Sequence, residues 1–331
     1  MQIQVGHVQM VRAAVLAALL GCAPAAPASA LTAYVTNERD NTVSVVDLDR
    51  GATVATIPVG QRPRGIAITP DGRDLLVCAS DDDTIQIIDP ARRKVVGELP
   101  SGPDPETFAL GPAGRLLYVS NENDAMMTII DVPARRALGQ IPTGVEPEGM
   151  GVSPDGKTVV NTSETTSMAH FVDVATRKLV ASVLVDPRPR VAVFRHDGSE
   201  VWVSSELGGT ISVIDPATHK ITHKIGFTVQ GLRSDVIQPV GIRFSADDAL
   251  AFVALGPANR VAVIDTKTYQ VKKYLLVGQR VWQMTVTPDG KELLTTNGLS
   301  NDISVIDIAA LRVEKSIPVG REPWGVVVAP P

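Results

Sequence analysis

The sequence predicts an all-β fold, a seven-bladed β-propeller with four antiparallel strands in each blade. Three observations predict it. The Asp that closes each apolar run of the Val-Ile-Asp type falls at Asp47, Asp89, Asp131, Asp173, Asp215, Asp265 and Asp307, at spacings of 42, 42, 42, 42, 50 and 42 residues. An independent marker, the Asp-Gly-like turn at Asp71, Ala113, Asp155, Asp197, Asp247 and Asp289, repeats at 42, 42, 42, 50 and 42. The 27 Gly and 24 Pro, with aromatic residues at only 4%, suit many short strands joined by tight turns. A repeat of about 40 residues carrying four strands is the propeller signature, and ring closure removes the exposed sheet edges that invite aggregation.

From the N-terminus, Val11 to Gly21 form a short apolar run behind Arg12, followed by Ala28-Ser29-Ala30, so residues 1–30 read as a cleaved export signal. The run is too short for a membrane-spanning helix. A second reading of the same stretch is a lipoprotein signal, Leu19-Leu20-Gly21-Cys22, with Cys22 acylated, although Leu20 fits it poorly. Residues 31–331 form a single domain: seven units of 42 and one eight-residue insertion account for 302 residues, which leaves no room for a second. Cleavage after Ala30 removes Arg12, so the net charge of −5 becomes −6, and Cys78 is then the one cysteine. With no Lys/Arg run, nucleic acid and anionic lipid are poor partners.

Within a unit the four segments are clearest at Thr107 to Leu110, Leu116 to Ser120, Met127 to Ile130 and Ala137 to Ile141, with Gly111-Pro112-Ala113-Gly114 and Asp131-Val132-Pro133 as turns. The domain starts at Thr32 to Thr36, a second strand, and finishes at Gly325 to Ala329, a first strand. Ring closure is therefore expected to combine three N-terminal strands with one C-terminal strand. Cys78 shares a column with Thr36, Ser120, Thr162, Ser204, Ala254 and Thr296, all small, and reads as packing. The seven Asp residues read as acceptors for turn N–H groups. His219 and His223 have metal-ligand spacing but lie on a turn and an outer strand, where residues four apart share a face only roughly.

The segments Tyr34-Val35-Thr36-Asn37 and Tyr118-Val119-Ser120-Asn121, with Ser-Val-Ile-Asp runs and Pro-Asp-Gly turns, resemble the YVTN-repeat family of seven-bladed β-propellers across the whole of residues 31–331. The overall pattern is most similar to the exported branch found with PQQ-dependent alcohol oxidation. That resemblance implies a periplasmic, non-catalytic or accessory role. Related propellers include lactone hydrolases and haem-binding propellers, so fold alone does not decide function. The fourth unit departs from the pattern at Val160-Asn161-Thr162-Ser163, and the fifth carries the insertion Thr228 to Ile237.

The loop entering each innermost strand should ring the mouth of the central channel. The column after the recurring Pro reads Arg64, Glu106, Glu148, Arg190, Val240, Trp282, Trp324; the column before it reads Arg62, Asp104, Glu146, Arg188, Gln238, Arg280, Glu322. A purely structural column would repeat, and these do not. They give an acidic arc (Asp104, Glu106, Glu146, Glu148), flanking Arg pairs, and an aromatic arc of Trp282 and Trp324. A flat anionic ligand such as PQQ could stack on the indoles while the guanidinium forks take its carboxylates. Salt bridges between blades, with the Trp rings as a plug, account for the same residues. Arg243 stands in a column otherwise filled by Ala67, Ala109, Gly151, Val193, Thr285 and Val327. A charge there needs a partner, for which Asp235 is the first expectation, or a ligand.

Three functions follow. A binding or accessory module would work on a small anionic ligand, or on a periplasmic dehydrogenase or cytochrome, through Arg62, Arg64, Glu106, Glu148, Arg190, Arg243, Arg280, Trp282 and Trp324. A hydrolase would hold a hard cation on Asp104, Glu106, Glu146 and Glu148. A structural disc would need neither. No Ser/His/Asp set can be assembled at the mouth, which has no His, and no GlyxSerxGly elbow or Cys/His metal spacing occurs, so no catalytic or metal residue is assigned. For haem, only Met150 and Met284 lie close enough to the mouth, each inside an inner strand.

Overall fold

The computed structural model describes residues 1–4 and 31–330, and the expected signal, with Arg12 and Cys22, lies outside the described residues. Among the described residues there are 28 strands and three 3-10 turns, and the strands form seven four-stranded antiparallel sheets. Blade 1 joins Thr32–Asn37, Thr42–Asp47 and Ala52–Pro58 to the C-terminal Pro323–Val328, which pairs Ala33 with Val328 and Val35 with Val326. The expected closure is the observed one. Blades 2 to 7 span 63–100, 105–142, 147–184, 189–226, 242–276 and 281–318.

The blades form where they do because most of their hairpins are closed by their own side chains. Asp47 accepts the backbone N–H of Arg50, and Asp89, Asp131, Asp173, Asp215, Asp265 and Asp307 do the same for their turns. On the preceding hairpin, the hydroxyls of Thr69, Ser153, Ser245 and Thr287 donate to Asp71, Asp155, Asp247 and Asp289. The core lies between neighbouring sheets. Tyr34, Val43 and Val45 of blade 1 pack on Leu75, Val77 and Ile88 of blade 2, and Tyr118, Met127 and Ile129 of blade 3 on Val159 and Val172 of blade 4. Each fully buried aliphatic side chain of this kind contributes about 1.5–3 kcal/mol.

Cys78 is fully buried, with its thiol pushed up by that burial, as a packing residue should be. His219 packs edge-on to Phe171 while His223 stacks on Tyr269, so the two imidazoles serve different neighbours.

The insertion reshapes blade 6. Val229 and Ile237 bury into the core between blades 5 and 6, and Ser234–Val236 forms a 3-10 turn. The innermost strand of blade 6 shrinks to the three residues Ile242–Phe244, where the other blades have six, as in Pro189–Phe194 or Val281–Val286. The channel wall is therefore irregular where Arg243 stands.

Candidate functional site

The mouth is built by a backbone device that recurs in six blades. Arg62, Asp104, Glu146, Arg188, Arg280 and Glu322 adopt left-handed φ between 52° and 57°. Side chains other than glycine adopt this conformation at a cost of about 1–3 kcal/mol each. The twist hands each carbonyl to the N–H one residue beyond the neighbouring second strand, at Ser80, Glu122, Glu164, Glu206, Gly298 and Glu38 respectively. The two columns read from the sequence are thereby held on one rim.

The structure brings in a third column that the sequence reading passed over: Glu38, Glu122, Glu164 and Glu206, one residue beyond each Tyr-Val-Thr-Asn element. Reading columns one step past the Asn would have found it. Three of these carboxylates, Glu38, Glu164 and Glu206, pair with mouth arginines, while Glu122 lies against Glu106. Arg64 pairs with Glu106 and with Glu38 at 3.1 Å. Arg62 pairs with Asp104, with Asp81 at 2.7 Å and with Glu106 at 2.9 Å. Arg190 pairs with Glu164, with Glu148 at 3.0 Å and with Glu206 at 3.6 Å. Arg188 reaches Glu164 at 2.8 Å and Arg280 reaches Glu206 at 2.8 Å.

The ring is thus a buried network. Glu106 and Glu148 are 0% and 4% exposed, and Arg190 is 4% exposed. Eight carboxyl groups (Glu38, Asp81, Asp104, Glu106, Glu122, Glu148, Glu164, Glu206) crowd five guanidinium groups (Arg62, Arg64, Arg188, Arg190, Arg280), so the acids compete for countercharge. Burial pushes Glu148 up to about 8 against the pull of Arg190, and Glu106 and Glu164 add to the rise. Burial and the hydrogen bond to Glu106 lift Glu122 to about 7, and burial with the Glu106 charge lifts Asp104 to about 6. Glu106 goes the other way: Arg64 and Arg62 overcome its burial and hold it below the ordinary carboxylate value.

The acidic arc is regrouped relative to the sequence expectation. Asp104, Glu106 and Glu122 offer oxygens within 4.8 Å of one another, while Glu146 turns to Thr165 and Glu148 to Arg190.

The aromatic arc lies on adjacent blades beside Arg64 and Arg280, as expected. Arg280 covers Trp282 at 3.8 Å from the ring centre, with Arg190 at 5.7 Å, and Arg64 stands 5.9 Å from Trp324. In blades 6 and 7 the third column becomes Gly256 and Gly298, and both are needed. A Cβ at Gly256 would meet Arg280 Nη1 at 2.3 Å, and one at Gly298 would meet Trp282 Nε1 at 2.7 Å.

Arg243 corrects the sequence expectation. Asp235 pairs with Arg233 at 2.7 Å, on the surface, and not with Arg243. The Arg243 guanidinium donates to its own neighbour's carbonyl, Ile242 O, at 2.7 Å, and forms no ion pair among the described residues. Of the two methionines near the mouth, Met284 is fully buried in the core between blades 6 and 7, and Met150 lines the channel.

Two family models match parts of the chain: Lactonase, 7-bladed beta-propeller, over residues 26–148, and the Choice-of-anchor I domain over residues 129–293. No curated protein sequence matches it. Among solved structures it is similar to the Kuenenia stuttgartiensis hydrazine synthase (20% identity, 84% of this chain and 92% of that one, TM-score 0.77). It is also similar to the dihydro-haem d1 dehydrogenase NirN (18%, 89% and 74%, TM-score 0.66). A functionally unknown protein from Desulfotomaculum acetoxidans gives 16% identity over 91% and 99%, with a TM-score of 0.77. With 1742 solved chains matching, these likenesses show the seven-bladed propeller and no particular chemistry.

Proposed function

We propose that the chain is an exported, periplasmic accessory propeller of PQQ-dependent alcohol oxidation, non-catalytic, acting through the disc face that carries the mouth ring. The observation that carries this reading is the ring itself: in a chain whose turns and glycines repeat, the rim columns change from blade to blade, and their arginines and acids lock one another in place. Such a network holds a shape for recognition. The resemblance of the overall pattern to the exported branch supports the cellular setting.

PQQ does not fit between the indoles as they stand. One face of Trp282 is covered by Arg280 at 3.8 Å, and Trp324 is 3% exposed. The role is therefore assigned to docking of a periplasmic dehydrogenase or cytochrome on the rim, where Arg188 is the most open arginine. Surface plasmon resonance against a PQQ-dependent alcohol dehydrogenase and its cytochrome should show binding that weakens at least tenfold in Arg188→Glu. Equal binding by the variant, or saturable quenching of Trp282 by PQQ alone, would overturn the docking assignment.

The lactonase-type model over residues 26–148 and the trio Asp104, Glu106 and Glu122 support a second reading, a cation-assisted hydrolase. Stoichiometric Ca²⁺ binding by calorimetry, lost in Glu122→Gln and accompanied by lactone turnover, would establish it over the accessory role.

A further inference from the structure

Directly beneath the mouth ring the channel encloses a cavity of about 100 Å³ to which all seven innermost strands contribute. That is room for a few water molecules or one small organic acid, at roughly 30 Å³ per water. Apolar side chains, Ile66, Phe108, Met150 and Val193 among them, share its wall with polar surface that is the larger part. Besides Thr107, whose hydroxyl donates to Glu148 O, two polar side chains stand in that wall, on the neighbouring blades 6 and 7.

The first is Arg243, in a column otherwise small or apolar. Burial with no opposing carboxylate draws its guanidinium down to about 10, which leaves it fully charged at neutral pH. The second is Gln283, on the innermost strand of the next blade. Its column is otherwise Gly65, Thr107, Gly149, Val191, Gly241 and Gly325, mostly too small to reach the axis. Gln283 is 7% exposed, and only its backbone is hydrogen-bonded, to the Thr296 hydroxyl. Its carboxamide makes no hydrogen bond among the described residues. An amide and a guanidinium that face a cavity with no opposing protein side chain keep their hydrogen-bonding capacity for whatever enters it, so the two groups together suit a polar, anionic occupant. Glu106 and Glu148, on the rim above, are committed to Arg64 and Arg190.

We infer that the channel holds a binding site for a small monocarboxylate, whose oxygens take the Arg243 guanidinium fork and the Gln283 amide while its short apolar part lies against the cavity wall. A guanidinium matches a planar carboxylate bidentately, and the low-dielectric setting strengthens the contact. The cavity volume limits the acid to a few heavy atoms beyond the carboxyl group. The inference goes beyond the accessory role and does not need it, since the channel site and the outer rim share neither Arg243 nor Gln283.

The test is calorimetric titration of the purified full chain with sodium acetate, against sodium chloride and sodium nitrate at constant ionic strength, with thermal melts of each protein in chloride. The wild type should bind one acetate saturably and in preference to both other anions. Arg243→Met should weaken binding by at least about tenfold, the loss expected for one charge-assisted hydrogen bond, and Gln283→Leu by several-fold. The chloride melt of Arg243→Met should match or exceed that of the wild type, which shows that the lost binding is not lost folding. Binding that is indistinguishable among the three anions, nitrate binding as tight as acetate, or acetate affinity unchanged in Arg243→Met would each overturn the inference. Rim docking of the dehydrogenase, read separately with Arg188→Glu, is unaffected by any of these results.

Discussion

Arg190 and Arg243 stand on the innermost strands of neighbouring blades, and the chain treats them in opposite ways. Arg190 is enclosed by Glu148, Glu164 and Glu206. Arg243 meets only the carbonyl of Ile242. The difference follows the third column: blades 1, 3, 4 and 5 supply Glu38, Glu122, Glu164 and Glu206, whereas blades 6 and 7 supply Gly256 and Gly298. Where acids persist, an arginine is part of the frame. Where they give way to glycine, the charge is left to other partners. A buried charge therefore reads as structure or as function according to what the neighbouring blade offers it, and not according to its own column.

The largest effect should come from breaking the enclosed side of this comparison. Arg190→Ala would strand Glu148 and leave Glu164 and Glu206 to Arg188 and Arg280 alone, and removal of one member of a buried ion-paired set costs about 3–5 kcal/mol. In a domain of this size that lowers Tm by roughly 10 °C, measured by calorimetry. A melt as high as that of the wild type would mean that the cage around Arg190 does not hold the mouth together.

A second, smaller effect sharpens the same contrast through pH. Glu148, Glu122 and Asp104 are raised in the fold, to about 8, 7 and 6, so the native state binds more protons than the unfolded chain between the ordinary carboxylate values and those figures. Their contribution to stability is present at low pH and is lost as pH rises through that window. Glu106 and Glu206 are held low, and their contribution is lost as pH falls below the ordinary carboxylate range. Stability should therefore peak near about pH 5, with Tm several degrees lower at about pH 8. Glu148→Gln should flatten the upper limb. A Tm that climbs steadily from pH 5 to about pH 8 would show that all the ring acids are ionised and that the raised group is misassigned.

The seven blades were legible in the sequence because each blade carries a closing Asp on its outer hairpin, so the 42-residue period is written in local chemistry. The mouth columns were legible for the same reason: a period makes divergence visible. The pairing was not. Arg64 finds Glu106 at a separation of 42 residues and Glu38 at 26, so its partners come from other blades, and nothing in its own strand names them. The Glu column was hidden in plain view behind Asn37 and Asn121, which draw attention as the end of the Tyr-Val-Thr-Asn element. The shortening of the blade 6 innermost strand to Ile242–Phe244 was hidden too, because the insertion spends Val229 and Ile237 on packing that composition alone assigns to a loop.

The smallest expected effect tests the uncommitted side. Asp235 was the natural partner for Arg243 on sequence grounds, being the acid in the inserted loop that leads to its strand. The 3-10 turn Ser234–Val236 instead turns it outward to Arg233, and both side chains are largely exposed. An exposed pair of this kind contributes about 0–1 kcal/mol and is screened by salt. Asp235→Asn should therefore move Tm by no more than about 2 °C, and it should leave acetate affinity at the channel unchanged, since Arg243 owes it nothing. If the substitution instead tightened acetate binding severalfold, Asp235 would be neutralising Arg243 for part of the time. The two arginines would then differ in how tightly each is partnered, and not in whether it is partnered at all.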